Sequence, residues 1–273
     1  MTDSKDWQGQ VGETWSREWR RTDRSFSGLT DQLLRRATQS TIRHALDVGC
    51  GAGELTLALA RSNPDAKVRG IDISEDLIEI ARGRSANANV HFAVMDATEW
   101  NGISWRPDLI MSRHGVMFFK DPVQSFYHLR MSASENARLV FSCFQRLAAN
   151  PWVTEIARLL PEGAIQSPEP GYRPGPFAFA NRDFVSETLR SAGWQNVEFE
   201  PVEFAYIAGA GEDPVDDAVN YLLRIGPGAA AARELGDAAR EVFKEKLRRF
   251  LASRARDGLV ALGASAWIVT AHN

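Results

Sequence analysis

Between His44 and Phe144 short apolar runs alternate with amphipathic stretches. HALDVGC, KVRGIDIS, NVHFAVMDA, PDLIMSRHGVMFF and ARLVFSCF each read as containing a strand. LTLALAR, EDLIEIARGRS and DPVQSFYHLRMSA carry helical patterning. Pro64 ends the first helix, and Ser74 caps the second, whose apolar face holds Leu77, Ile78 and Ala81. Strand–helix repetition of this kind predicts a mostly parallel sheet with helices on both faces. The continuous apolar run LVFSCF suits a strand buried on both sides.

The flanks read differently. Residues 1–43 are polar with interleaved tryptophans, and Trp15 and Trp19 share one face if the segment is helical. Leu29, Leu33 and Leu34 form a second helical stripe, with Thr30 and Asp31 near its start. This stretch is read as an N-terminal helical flap ahead of a main domain over 44–273. Residues 145–181 hold Pro151, Pro161, Pro168, Pro170, Pro174 and Pro176, and PEPGYRPGPFAF excludes regular helix or strand. Its aromatics, Tyr172, Phe177 and Phe179, argue against disorder, so the segment reads as a lid or substrate loop. DFVSETLRSAG is a helix capped by Asn181 and stopped by Gly193. VEFEPVEFAYIAG and SAWIVTA are strands, and 212–257 is a helical insertion broken at Gly226-Pro227-Gly228.

Composition narrows the class. Of 273 residues, 44% are hydrophobic and 25% charged, which excludes disorder as the main state. Lys+Arg is 32 against Asp+Glu 35, a net charge of −3, so no basic excess points to a nucleic-acid partner. Cys50 and Cys143 lie in apolar runs and read as small buried residues, not a disulfide. No metal-ligand cluster is visible, and no metal is expected. The N-terminus lacks the apolar stretch of a secretion signal, and no run is long enough to span a membrane. The expected location is the cytoplasm.

The chemistry centres on Leu46-Asp47-Val48-Gly49-Cys50-Gly51-Ala52-Gly53, which follows a strand and opens a helix. Glycines there let the backbone turn and approach a ligand, and a helix start offers free N–H groups, so the loop should cradle a polar small molecule. The spacing is G-x-G-x-G, and Glu54 stands where the third glycine of a dinucleotide fingerprint belongs. That weighs against a nicotinamide or flavin dinucleotide.

LDVGCGAG, followed in order by Gly70-Ile71-Asp72-Ile73-Ser74 and Val94-Met95-Asp96-Ala97, resembles the motif series of class I S-adenosylmethionine-dependent methyltransferases. The run at Ser112–Phe119 with its FF-x-D-P continuation is similar to the small-molecule members, including those of quinone biosynthesis, and lacks the motif of nucleic-acid enzymes. The resemblance implies an α/β fold: a doubly wound, Rossmann-like, seven-stranded, mostly parallel sheet in the order 3-2-1-4-5-7-6 with an antiparallel last strand. It implies S-adenosyl-L-methionine as cofactor, S-adenosyl-L-homocysteine as product and a small organic acceptor. It assigns the cofactor to Asp47, Gly49, Cys50, Gly51 and Gly53, to Asp72 on the ribose hydroxyls, and to Ile73, Asp96 and Ala97 around adenine. Arg113 is a candidate for the methionine carboxylate or an acidic substrate. His114, at the end of the fourth strand, is the candidate general base. Trp15, Trp19, Tyr172 and Phe177 are candidate walls of an apolar acceptor pocket. A nicotinamide-dependent oxidoreductase and a non-catalytic S-adenosylmethionine-binding regulator stand as alternatives. The acceptor, the methylated atom and the oligomeric state are open at this level.

Overall fold

The computed structural model describes residues 7–86, 88–102, 105–164 and 171–273. Helices α1 (Gln10–Arg17) and α2 (Trp19–Ala37) precede the alternating region. That region comprises β1 (His44–Val48), α3 (Glu54–Ser62), β2 (Lys67–Asp72), α4 (Glu75–Arg84), β3 (Val90–Val94), β4 (Leu109–Arg113), α5 (Pro122–Met131) and β5 (Arg138–Phe144). There follow α6 (Pro151–Ala157), α7 (Arg182–Ser191), β6 (Gln195–Ala210), α8 (Pro214–Leu222), α9 (Pro227–Arg233), α10 (Asp237–Arg254), β7 (Ala255–Arg256) and β8 (Leu259–His272). The sheet order is β3-β2-β1-β4-β5-β8-β6, with β7 pairing β8. β1 to β5 run parallel, and β8 is antiparallel to both β5 and β6. The expected order is therefore observed, with β8 as its inserted last strand. The added two-residue β7 is too short to leave a periodic signal.

Ser74 accepts from the Leu77 amide at the start of α4 and Asn181 from Asp183 and Phe184 at α7, as read from the residues; the structure adds Asp121, which accepts from Gln124 at α5. Leu46, Ile110, Met111, Val140 and Phe141 are fully buried, as strands covered on both faces require.

Three expectations change. The stripe at Leu29–Leu34 does not begin a new helix; α2 runs through it, and Thr30 donates back to the Phe26 carbonyl at 3.1 Å. Nor is α2 only a flap. Leu29 and Leu33 are completely buried, and Arg24 and Ser25 donate to the carbonyls of Ala208 and Ile207 on β6. The stretch 145–181 contains α6, whose Trp152, Val153 and Ile156 are buried, and Phe179 is fully buried. Residues 165–170, including Pro168 and Pro170, lie outside the described residues. In 212–257 the helix α9 starts at Pro227 itself, because proline at the first helical position gives up no needed N–H. Among the described residues no helix is long and apolar enough to cross a membrane.

Asn150 ties α6 to the sheet. Fully buried, it donates to the Gln145 and Arg146 carbonyls and accepts from Trp152 Nε1 at 3.3 Å and the Ser265 amide at 2.9 Å. Replacing it with leucine strands several buried polar groups, each costing about 1–3 kcal/mol. Asn150→Leu should lower the urea-unfolding free energy by about 2–4 kcal/mol, and an unchanged denaturation midpoint would refute the role.

Candidate functional site

A cavity of about 790 Å³ opens over the carboxyl ends of the parallel strands, where open α/β sheets bind ligands. Its floor is made by two loops forced together. A Cβ on Gly49 would lie 2.9 Å from the Gly115 Cα, and one on Gly115 would lie 2.7 Å from the Val48 carbonyl oxygen. Ser112 Oγ joins the two loops: it donates to that carbonyl at 2.7 Å and accepts from the Gly115 amide at 3.1 Å. Only paired glycines allow this approach. Gly49 and Gly51, at φ of 66° and 53°, face the cavity. Gly53 does not line it; a Cβ there would meet the Phe92 ring at 2.7 Å, so this glycine lets α3 close on the sheet from behind.

On one side of the floor the expected polar residues converge. Asp72 accepts from the Gly51 amide at 2.8 Å and the Ser74 amide at 2.9 Å. Burial raises its pKa, and these amides oppose the rise. Asp47 is buried; one carboxylate oxygen accepts from Thr56 at 2.6 Å and the other has no partner among the described residues. Burial pushes its pKa up to about 7. Asp96 accepts from the amide and hydroxyl of Thr98, at 2.8 and 2.7 Å. Cys50, Ile73 and Ala97 also line the wall. Burial raises the Cys50 thiol pKa, which leaves it a packing residue.

The segment ahead of α2 covers this side. A Cβ on Gly12 would fall 2.5 Å from Ser74 Oγ and 2.2 Å from the Trp7 carbonyl oxygen, so α1 rests directly on the start of α4. Trp15 and Trp19, read from the sequence as walls of an acceptor pocket, line the cavity on this side, and so does Trp7. Trp7 packs 5.5 Å from Trp15 and edge-on to Phe118 at 5.1 Å, its indole N–H without a partner among the described residues. The Arg84 guanidinium lies 4.0 Å over the Trp19 ring.

The far side is aromatic. His114 is 8% exposed and adopts a positive φ of 62°, uncommon for a side chain of its size. Its ring stacks on Phe144 at 4.1 Å and meets Phe26 at 5.2 Å. Neither ring nitrogen has a hydrogen-bond partner among the described residues. Burial, aided by the nearby Arg113 charge, pushes its pKa down to about 3, so the imidazole is neutral at physiological pH. Trp152 and Tyr206 stack at 4.5 Å and complete the wall. Tyr172 and Phe177 do not line the cavity. Tyr172 donates to the Phe119 carbonyl at 2.6 Å and stacks on Phe184, while Phe177 packs against Phe144. Phe26, Phe144, Trp152 and Tyr206 come from four separate elements, and no local pattern marked them.

Arg113 departs from its expected role. Its guanidinium bonds Glu54 and Thr30 and lies 3.6 Å from Asp23, which also pairs with Arg84 at 2.8 Å. Two arginines face two carboxylates, so this cluster is neutral and Arg113 has no spare charge for a carboxylate ligand. Among the described residues no group of three or more His, Cys, Asp or Glu could hold a metal ion.

Residues 45–134 match the model of a family described as Methyltransferase domain. A malonyl-[acyl-carrier protein] O-methyltransferase of Acetivibrio thermocellus is 38% identical over 99 residues, 36% of this chain and 35% of that protein. A trans-aconitate 2-methyltransferase of Methylobacterium radiotolerans is 37% identical over 90 residues, 33% of this chain and 34% of that protein. These alignments span about a third of each relative's length. Haemonchus contortus phosphoethanolamine N-methyltransferase 2, solved with phosphomonomethylethanolamine and S-adenosylhomocysteine, superposes with a TM-score of 0.56 at 15% identity. That superposition covers all of this chain and 60% of the other. The sheet is thus that of the class I methyltransferases.

His114 supplies a pH test. The unfolded imidazole takes up a proton near pH 6.5 and the folded one does not until about pH 3, so stability falls as pH drops below 6.5. At pH 5 this loss amounts to about 2 kcal/mol. His114→Asn, which tolerates the left-handed backbone, should flatten that part of the urea-midpoint profile between pH 7 and 5. An identical slope in the variant would contradict the buried, neutral ring.

Proposed function

We propose that this chain, whose residues 45–134 form a class I methyltransferase domain, transfers a methyl group from S-adenosylmethionine to a small organic acceptor. The observation that carries the reading is one continuous cavity. At one end it holds a glycine cradle with Asp72 and Asp96; at the other it becomes an aromatic chamber around His114.

The residues present suit the cofactor. The unpartnered oxygen of buried Asp47 and the positive-φ Gly51, with open space where a side chain would stand, suit a polar ligand. Asp72, already oriented by two amides, keeps lone pairs for a vicinal diol. Ile73 and Ala97 offer apolar contact beside Asp96. When bound, S-adenosylmethionine supplies an electrophilic methyl on a positively charged sulfur, and S-adenosylhomocysteine remains.

The chain's own contribution is alignment and exclusion of water. Trp7, Trp15 and Trp19 close the cavity from the N-terminal side, and the rigid Gly49–Gly115 contact fixes the cradle relative to His114. His114, neutral and with both nitrogens free, can orient an acceptor and receive its proton. The names of the two relatives, for malonyl-[acyl-carrier protein] and trans-aconitate, support small organic groups, free or carried on a protein, as the class. Against a dinucleotide, the glycine spacing is G-x-G-x-G and Glu54 stands where the third glycine of the dinucleotide fingerprint belongs.

Calorimetric titration with S-adenosylhomocysteine tests the assignment. Asp72→Ala should weaken binding about tenfold or more, equivalent to at least about 1.4 kcal/mol. Wild-type affinity in that variant would overturn the ribose role. Gly12→Leu, which lifts α1 off Ser74, should weaken the same ligand by a similar factor.

A further inference from the structure

We infer that the acceptor is an uncharged, planar aromatic compound bearing a hydroxyl group, seated in the chamber beyond the glycine cradle with its hydroxyl on His114. The inference rests on the methyltransferase reading and deepens it. Phe26, Phe144, Trp152, Tyr206 and Ile225 line this end of the cavity, contributed by α2, β5, α6, β6 and the turn before α9. Flat rings set by stacking, His114 on Phe144 and Trp152 on Tyr206, shape it for a planar guest.

The polar groups of the chamber decide the guest's charge. The Trp152 N–H is taken by Asn150. The Tyr206 and Tyr221 hydroxyls bond each other, and Tyr221 donates to Thr22. Arg113, Arg84, Asp23 and Glu54 pair with one another as ions, although Asp23 Oδ2 makes no hydrogen bond among the described residues. A buried carboxylate would find no spare cation here, and an unpaired buried charge is expensive. Lys120 also borders the cavity, but it is exposed and adjoins Asp121 on the loop before α5. A cationic guest would likewise find no free carboxylate at this end, since Asp23 and Glu54 are ion-paired with Arg84 and Arg113. His114, more than nine-tenths buried, has one donor and one acceptor nitrogen without a partner among the described residues. A hydroxyl matches that pair, since it both donates and accepts.

The chemistry balances. The hydroxyl oxygen forms a bond to the methyl carbon as the sulfur–carbon bond breaks, its electron pair staying on sulfur. The hydroxyl proton passes along the hydrogen bond to the imidazole and then to water. A methylated, still protonated oxygen is far more acidic than imidazolium, so even a weakly basic ring can take the proton late in transfer.

The test compares three probes of one shape on the full chain saturated with S-adenosylhomocysteine: 2-naphthol, 2-naphthoate and 2-naphthylmethylammonium at pH 7, by calorimetry. Naphthol should bind about tenfold or more tightly than either ion. Equal or tighter binding of the naphthoate or the ammonium would overturn the proposal. His114→Leu should erase most of the preference for naphthol over 2-methylnaphthalene, and His114→Asn, with a donor and an acceptor, should keep part of it. An undiminished preference in His114→Leu would also overturn the proposal. S-adenosylhomocysteine is titrated first. Its failure to bind wild type counts against the methyltransferase reading, whereas a wrong ranking of the naphthalenes counts against the acceptor class alone.

Discussion

The contact between Gly49 and Gly115 is the constraint on which the site depends. It presses the loop after β1 against the loop after β4, with Ser112 Oγ bonded to both. The first loop carries the glycines that line the cavity and the second carries His114. Because backbone touches backbone, the spacing between cradle and imidazole does not depend on flexible side chains. The positive φ of His114 belongs to the same arrangement: the chain leaves β4, its amide still bonded to the Ser142 carbonyl, and turns the ring toward Phe144. Strain of this kind persists where surrounding structure over-determines it, and here β1, β4 and β5 all do so.

Around that floor, α2 acts as a clasp. Its Arg21 and Arg24 pair with Asp217 on α8, and its Asp23 pairs with Arg84 and approaches Arg113. One helix thus joins the cofactor side, the aromatic side and the late helical insertion. Breaking a buried member of such a network leaves an uncompensated charge, so the network is best understood as fixing position more than adding stability. The same self-neutralisation sets the character of the chamber: with its ions satisfied internally, it offers a guest rings and one unpartnered imidazole.

The order of strands was legible because strand–helix alternation forces a parallel sheet, and apolar runs mark strands buried on both faces. Helix starts at Ser74 and Asn181 were legible because a cap is a local event between a side chain and an amide two or three residues away. That Gly49, Gly51 and Asp72 meet at one cavity was legible for the same reason, as they sit at strand ends that the pattern itself defines. Tyr172 and Phe177 were misplaced because a proline-rich stretch carries no period, and without a period nothing says which way a ring points.

By itself the sequence determined the architecture, the helix boundaries set by caps and prolines, and the residues grouped at the carboxyl ends of β1, β2 and β3. Tertiary structure alone decided the rest. It turned Arg113 from a ligand-binding cation into the partner of Glu54 and Asp23. It made Gly53 a packing glycine, and it brought Phe26, Phe144, Trp152 and Tyr206 around one histidine. The division follows the range of the forces. Hydrogen-bonded turns and periodic burial act over a few residues and are written in spacing, whereas charge pairing and aromatic enclosure depend on which distant segments the folded sheet sets side by side.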